Sequence, residues 1–163
     1  GMKFTDHHVQ SPLLNIENSC AVCHRWSETE LKTRVETIQT KVANARIKAE
    51  DALVAAHFDV AAAMEAKVAD AELAPVRKMI RHAQFRWDYV AANNSMGFHS
   101  PQESMRILGD AVNNTQTARI HLARLIAAKG VIEAPKYPDI SDRKKAMDTV
   151  KSFLAGTPPK LLP

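Results

Sequence analysis

The sequence predicts an all-α protein: long antiparallel helices forming a helical bundle, preceded by an irregular loop that carries the cysteines. Three observations predict it. Only 5 of the 163 residues are Gly, against an ordinary usage of about 7%, which disfavours turn-rich sheets. No Gly or Pro occurs between Ser27 and Pro75, and apolar residues recur there at alternating spacings of four and three. No stretch alternates with the period of two that a half-buried strand requires. A hydrophobic content of 45% with 25% charged residues is ordinary for a folded chain and excludes wholesale disorder.

Residues 1–27 hold both cysteines and three of the seven histidines and show no sustained helical period. Gly1 before Met2 reads as the scar of a trimmed tag. A first helix starts at Ser27, because Ser followed three residues later by Glu30 is the reciprocal capping arrangement. Leu31, Val35, Ile38, Val42, Ala45, Ala49, Ala52 and Ala56 form its seam, and the thinning to Ala predicts a close partner backbone near residues 45–63. We place this helix at about 28–71. Pro75 fits a first turn and not an interior, so a second helix is expected over about 75–92, with Val76, Ile80, Ala83, Trp87 and Val90 buried. Ser100-Pro101-Gln102-Glu103 supplies a cap, a first-turn Pro and a capping Glu for a third helix over 101–129, which Gly130 terminates. Pro135 and Pro138 mark an extended linker, Ser141 caps a short helix over 141–154, and the tail 156–163 is expected to fray. The bundle thus spans 28–155.

Cys20-Ala21-Val22-Cys23-His24 is the run that carries chemistry. Two thiols at this separation can form thioethers with the two vinyl groups of one haem, and the adjacent imidazole then falls on the iron as axial ligand. A redox dithiol would want a strand-bearing, thioredoxin-like context that this sequence lacks. Zinc would need a fourth ligand beyond Cys20, Cys23 and His24, which His7 or His8 could supply.

Several blocks in order extend this reading: Thr5-Asp6-His7-His8, the Cys20–His24 run, His57-Phe58, Arg81–Asp88, Gly97-Phe98-His99-Ser100-Pro101-Gln102-Glu103 and Leu122–Leu125. Together, over residues 4 to about 141, they resemble the C-terminal part of the five-haem cytochrome c nitrite reductases, the ammonia-forming enzymes of the periplasm. The resemblance implies that Cys20 and Cys23 attach haem c covalently and that His24 is its proximal ligand. It implies that His7, with His8 as the fallback, and His99 are distal ligands to two haems whose motifs lie upstream. No catalytic residue is implied here, because the family's Cys-x-x-Cys-Lys haem and its substrate residues fall N-terminal to Thr5. The expected function is therefore a haem-binding, electron-relaying and dimerising module of a nitrite reductase. Its partners would be the N-terminal haem-bearing part of the same enzyme, a second copy through the long helices, and a membrane quinol-oxidising cytochrome as electron donor. The parent is expected in the periplasm. Covalent attachment needs export and maturation, so protein made in a cytoplasm is expected to lack the haem.

Two other readings stay open: a structural helical interaction domain without haem, and the same module of another multihaem oxidoreductase. His57, His82 and His121 fall within helices and read as helix histidines, and Met64, Met79, Met96 and Met105 as core filler. Trp26, Trp87 and Phe98 are expected to pack against haem or between helices. The formal charge is 22 − 18 = +4, but Lys and Arg alternate with Asp and Glu, so solvated helix faces are expected and no nucleic-acid partner. No apolar run is long enough to span a membrane.

Overall fold

The computed structural model describes residues 10–163, so the expectations for Gly1, His7 and His8 lie outside the described residues. The all-α class is borne out. Among the described residues, four α-helices follow two short 3-10 turns at Pro12–Leu14 and Cys20–Val22: α1 (Glu28–Glu65), α2 (Asp70–Ala91), α3 (Pro101–Ala128) and α4 (Arg143–Leu154). Successive long helices run antiparallel, and α3 lies against both α1 and α2, which touch each other less. The α1 seam is buried at Leu31, Val35, Val42, Ala49, Ala52, Leu53, Ala56, Ala62 and Ala63. Ala49 and Ala56 of α1, and Ala111 and Ala118 of α3, are fully excluded from solvent in the same core. Side chains this small let helix backbones approach closely, as the thinning of the seam predicts.

α1 begins where expected. Ser27 Oγ accepts the Glu30 N–H at 3.3 Å, and Glu30 Oε2 accepts the Ser27 N–H at 2.9 Å, which closes the capping box. Its end differs from the expectation. Lys67 takes φ 62°, and the N–H groups of Val68 and Lys67 bond the carbonyls of Ala63 and Met64 at 3.0 and 3.1 Å. This double bond pattern stops a helix with Lys where glycine is usual, so α1 ends at Glu65 and is about 57 Å long at about 1.5 Å per residue.

α2 then starts at Asp70, five residues before Pro75, which stands inside the helix. Glu72 accepts the Ala69 N–H at 3.2 Å, and Asp70 and Glu72 face the positive helix end; this early start outweighs the carbonyl partner that Pro75 removes. α3 begins at Pro101 as expected, but by other chemistry. Ser100 makes no capping bond, and the Glu103 carboxylate, which could have bonded the Ser100 N–H, accepts from Arg106 at 2.6 and 2.8 Å instead. The cap of α4 is Asp142, which accepts the Lys145 N–H at 2.9 Å, rather than Ser141.

The far end of the bundle corrects the expected frayed tail. Leu161 is 2% exposed and Leu162 is also buried. Their N–H groups donate to the Glu65 carboxylate at 2.9 and 3.4 Å, and the Leu161 carbonyl accepts the Lys136 N–H at 2.8 Å. Two leucines beneath a paired backbone cannot fray freely. The linker is pinned beside them: Arg119 Nε donates to Asp59 at 2.8 Å, Arg119 Nη2 donates to the Tyr137 hydroxyl at 3.0 Å, and that hydroxyl donates to Asp59. Tyr137 stacks on Phe58 at 5.5 Å. Burial, with the Asp59 carboxylate beside it, pushes the Tyr137 hydroxyl above its ordinary value, so the ring stays a neutral donor.

Candidate functional site

The segment from Gln10 to Ser27 is wound from turns rather than loose. Ser11 accepts the Leu13 N–H at 3.3 Å and opens the first turn. The Ser19 hydroxyl lies 2.7 Å from the Asn15 carbonyl and 3.0 Å from that of Pro12, tying the first turn to the second. Ile16, buried to 2%, anchors the segment, and its carbonyl accepts the N–H groups of Ser19 and Ala21 at 3.2 and 2.9 Å. The second turn carries the motif: Cys23 N–H and His24 N–H both donate to the Cys20 carbonyl, at 3.3 and 2.9 Å. Cys20 and Cys23 are free thiols, and Cys23 and His24 face solvent. The His24 ring stacks on Trp26, centroids 5.3 Å apart and planes 26° apart.

His99 reaches the same end of the molecule from the α2–α3 connection, which is built with close tolerances. Asn93 Oδ1 accepts both the N–H and the hydroxyl of Ser95, at 2.9 and 2.6 Å, an Asx turn. Gln39 of α1 donates to the Ser95 carbonyl at 3.1 Å. Met96 and Gly97 adopt φ of 51° and 84°. A Cβ on Gly97 would stand 2.7 Å from each methyl of Val42, so only glycine lets the connection lie this close to α1. Phe98 follows, edge-on to the exposed His99 ring at 5.7 Å.

Between the motif segment, Val35 and Gln39 of α1 and this connection lies a cavity of about 720 Å³, with both Cys20 and His99 in its lining. The structure thus brings together two residues that the sequence places 79 positions apart. Cys23 and His24 are on the same turn but not in the lining. His57, His82 and His121 are exposed on three different helices, and among the described residues no three His, Cys, Asp or Glu gather as a metal-binding group.

These residues fit haem c. Both thiols are unbonded on one turn, with an imidazole on the next residue. Leu14, Val22 and Trp26 of the same segment are exposed and offer apolar surface suited to cover a porphyrin, and the cavity that Cys20 lines lies within the about 300–1,000 Å³ usual for small-molecule and cofactor sites. Sequence reading missed what holds the site. The Gly97–Val42 approach and the Gln39–Ser95 bond carry no motif. Asp59 did leave a signal, as an acid on the buried side of an Ala-rich seam.

The comparisons agree with this chemistry. Residues 1–155 match the family described as cytochrome c552. The chain is also similar to a solved cytochrome c nitrite reductase catalytic subunit from Desulfovibrio desulfuricans, with 31% identity and a TM-score of 0.66 over 72% of this chain and 26% of that one. It therefore spans about a quarter of the length of the solved chain that it matches. A match over nearly the whole chain, on the residues that fit haem c, decides the relationship: the protein belongs to the cytochrome c552 family, whose cofactor is haem c.

Proposed function

We propose that this chain is the C-terminal haem-binding and dimerising module of a periplasmic, ammonia-forming multihaem cytochrome c nitrite reductase. The observation that carries the reading is the motif turn. It holds Cys20 and Cys23 as free thiols beside His24, and its Cys20 shares one cavity with His99. Cys20 and Cys23 hold one haem c by thioethers and His24 ligates it. His99, with His7 or else His8, supplies distal imidazoles to two further haems borne upstream in the parent. Two imidazoles on one haem iron would suit it to electron transfer and leave no place for substrate, so these residues would serve an electron relay, with nitrite reduced elsewhere in the parent. The chain's own work is positional. The Asn93–Ser95 turn and Gly97 fix where His99 stands, and Ile16 and the Ser19 hydroxyl fix the motif turn.

Dimerisation is supported by a groove between α1 and α3 lined by Ala45, Lys48, Met105, Gly109 and Val112, with Met105 and Ile120 exposed along α3. A second copy is the proposed occupant, and the resemblance supplies a membrane quinol-oxidising cytochrome as donor. Among the described residues no helix is long and apolar enough to cross a membrane. The test is export of the chain with a cytochrome c maturation system, followed by a visible spectrum and a pyridine haemochrome assay. A covalent c-type signal that disappears with Cys20→Ser and Cys23→Ser is expected. No signal from confirmed exported protein would favour a structural helical domain instead.

A further inference from the structure

We infer that Trp26 is the positioning residue for His24: its indole lies along the imidazole, sets the rotation of that ring and covers one of its faces. The inference rests on the haem reading above. Its ground is the stack itself, with ring centroids 5.3 Å apart and planes 26° apart. The usual role of a tryptophan does not account for it. Trp26 is 62% exposed, whereas Trp87 is half-buried against the core and donates its indole N–H to the Arg46 carbonyl at 3.2 Å. A large aromatic side chain left in water adds little to a core.

The backbone explains how Trp26 can hold a neighbour still. The His24 N–H bonds the Cys20 carbonyl at 2.9 Å, which fixes the backbone of the imidazole and leaves its side-chain torsions free. Trp26 is followed at once by Ser27, whose N–H is held by Glu30 at 2.9 Å and whose carbonyl accepts the first bond of α1, from Leu31. The backbone on either side of the stacked pair is therefore fixed, and the stack restrains the imidazole torsions that the motif turn does not. For an axial imidazole those torsions decide the angle that the ring plane makes over the iron. Covering one face of the ring lowers the water around the ligand, which would disfavour the more charged oxidised state of the iron and so raise its potential.

The experiment uses the full-length, haem-loaded protein with Trp26→Leu, Trp26→Gln and Trp26→Phe. Haem content, low-temperature EPR g-values and the midpoint potential of each haem are read in every variant. Unchanged haem content is expected throughout. In the Leu and Gln variants one low-spin signal moves and one midpoint potential falls while the others stay. The Phe variant, which can still stack, returns both close to the parent values. Leu and Gln each decide the matter alone should the other fail to accumulate. Parent g-values and potentials at full haem content in the Leu or Gln variant would overturn the role of Trp26 and leave the haem reading standing. Absence of covalent haem from the unaltered protein would overturn both.

Discussion

The two ends of the bundle are held by opposite means. At the motif end, order comes from tight turns closed by main-chain bonds and short polar side chains: stacked turns from Ser11 to His24, the Asx turn at Asn93, and Gly97 pressed on Val42. The candidate ligand side chains there, Cys23, His24 and His99, are exposed, and the two imidazole rings lie against Trp26 and Phe98. At the far end, order comes from side chains: Asp59 at 6% exposure grips Arg119 and Tyr137, and Glu65 holds the tail over Leu161 and Leu162. Under the proposed reading, an end that receives a large planar group would keep its reactive side chains free of structural duty and take its precision from the turns around them. An end with no such task can spend its polar side chains on locking the fold.

The largest expected effect strikes the backbone of the motif end. Gly97→Ala must accommodate φ 84° and a Cβ 2.7 Å from two Val42 methyls; overpacking and left-handed strain together predict a loss of about 2–4 kcal/mol. Denaturant unfolding should show the midpoint fall at constant slope, and Val42→Ala in the same chain should recover part of it. Recovery would prove that the contact, and not the torsion alone, sets the cost.

At the far end, Asp59→Ala leaves Arg119 and Tyr137 without their shared acceptor. A broken buried pair costs about 3–5 kcal/mol. Arg119 is 30% exposed, and water can reach it, so about 2–3 kcal/mol is expected here from the same unfolding measurement. Glu65→Ala removes a charged acceptor from two backbone donors in a partly exposed setting and should cost about 1–2 kcal/mol. Its sharper readout is limited proteolysis, with cleavage near Pro158–Leu162 appearing in the variant and not in the parent.

Smaller effects complete the contrast. Ser27→Ala breaks the capping box and should cost about 1 kcal/mol. The Ser27 hydroxyl and N–H hold the Glu30 carboxyl below its ordinary value of 4.5. A carboxylate lowered on folding adds stability above its unfolded value and loses it as pH falls through the lowered folded value. The gap between parent and Ser27→Ala should therefore narrow as pH falls below 4.5 without closing, because the bond from the Glu30 N–H to Ser27 Oγ does not titrate. Smallest of all, Cys23→Ser and His99→Ala in the haem-free chain should each stay within about 0.5 kcal/mol of the parent. A large loss from either would break the contrast, since it would give the outward side chains a structural load.

Local chemistry was legible where one residue type decides one feature. Ser27 and Glu30 mark the start of α1, and the Ala seam marks the close packing with α3. Legibility failed where a common signal was outcompeted nearby. Glu103 prefers the Arg106 guanidinium to the helix cap, Lys67 takes the left-handed stop expected of glycine, and Pro75 is carried inside a helix that starts earlier. It also failed where the deciding contact spans the chain. Nothing local to Leu161 says that Glu65 will hold it, and nothing local to His99 says that Gln39 and Val42 will bring it to the cavity of Cys20.

The central claim is that the motif end accepts a haem through Cys20 and Cys23 on a frame that exists independently of those side chains. Intact-mass spectrometry of the exported, matured protein, with the modified peptide sequenced, tests it most directly. A mass increase by one haem, confined to the peptide containing Cys20 and Cys23 and absent from a Cys20→Ser, Cys23→Ser variant that folds as stably as the parent, is the result this account predicts. An unmodified mass after confirmed export and maturation, or a double variant that fails to fold, would contradict it.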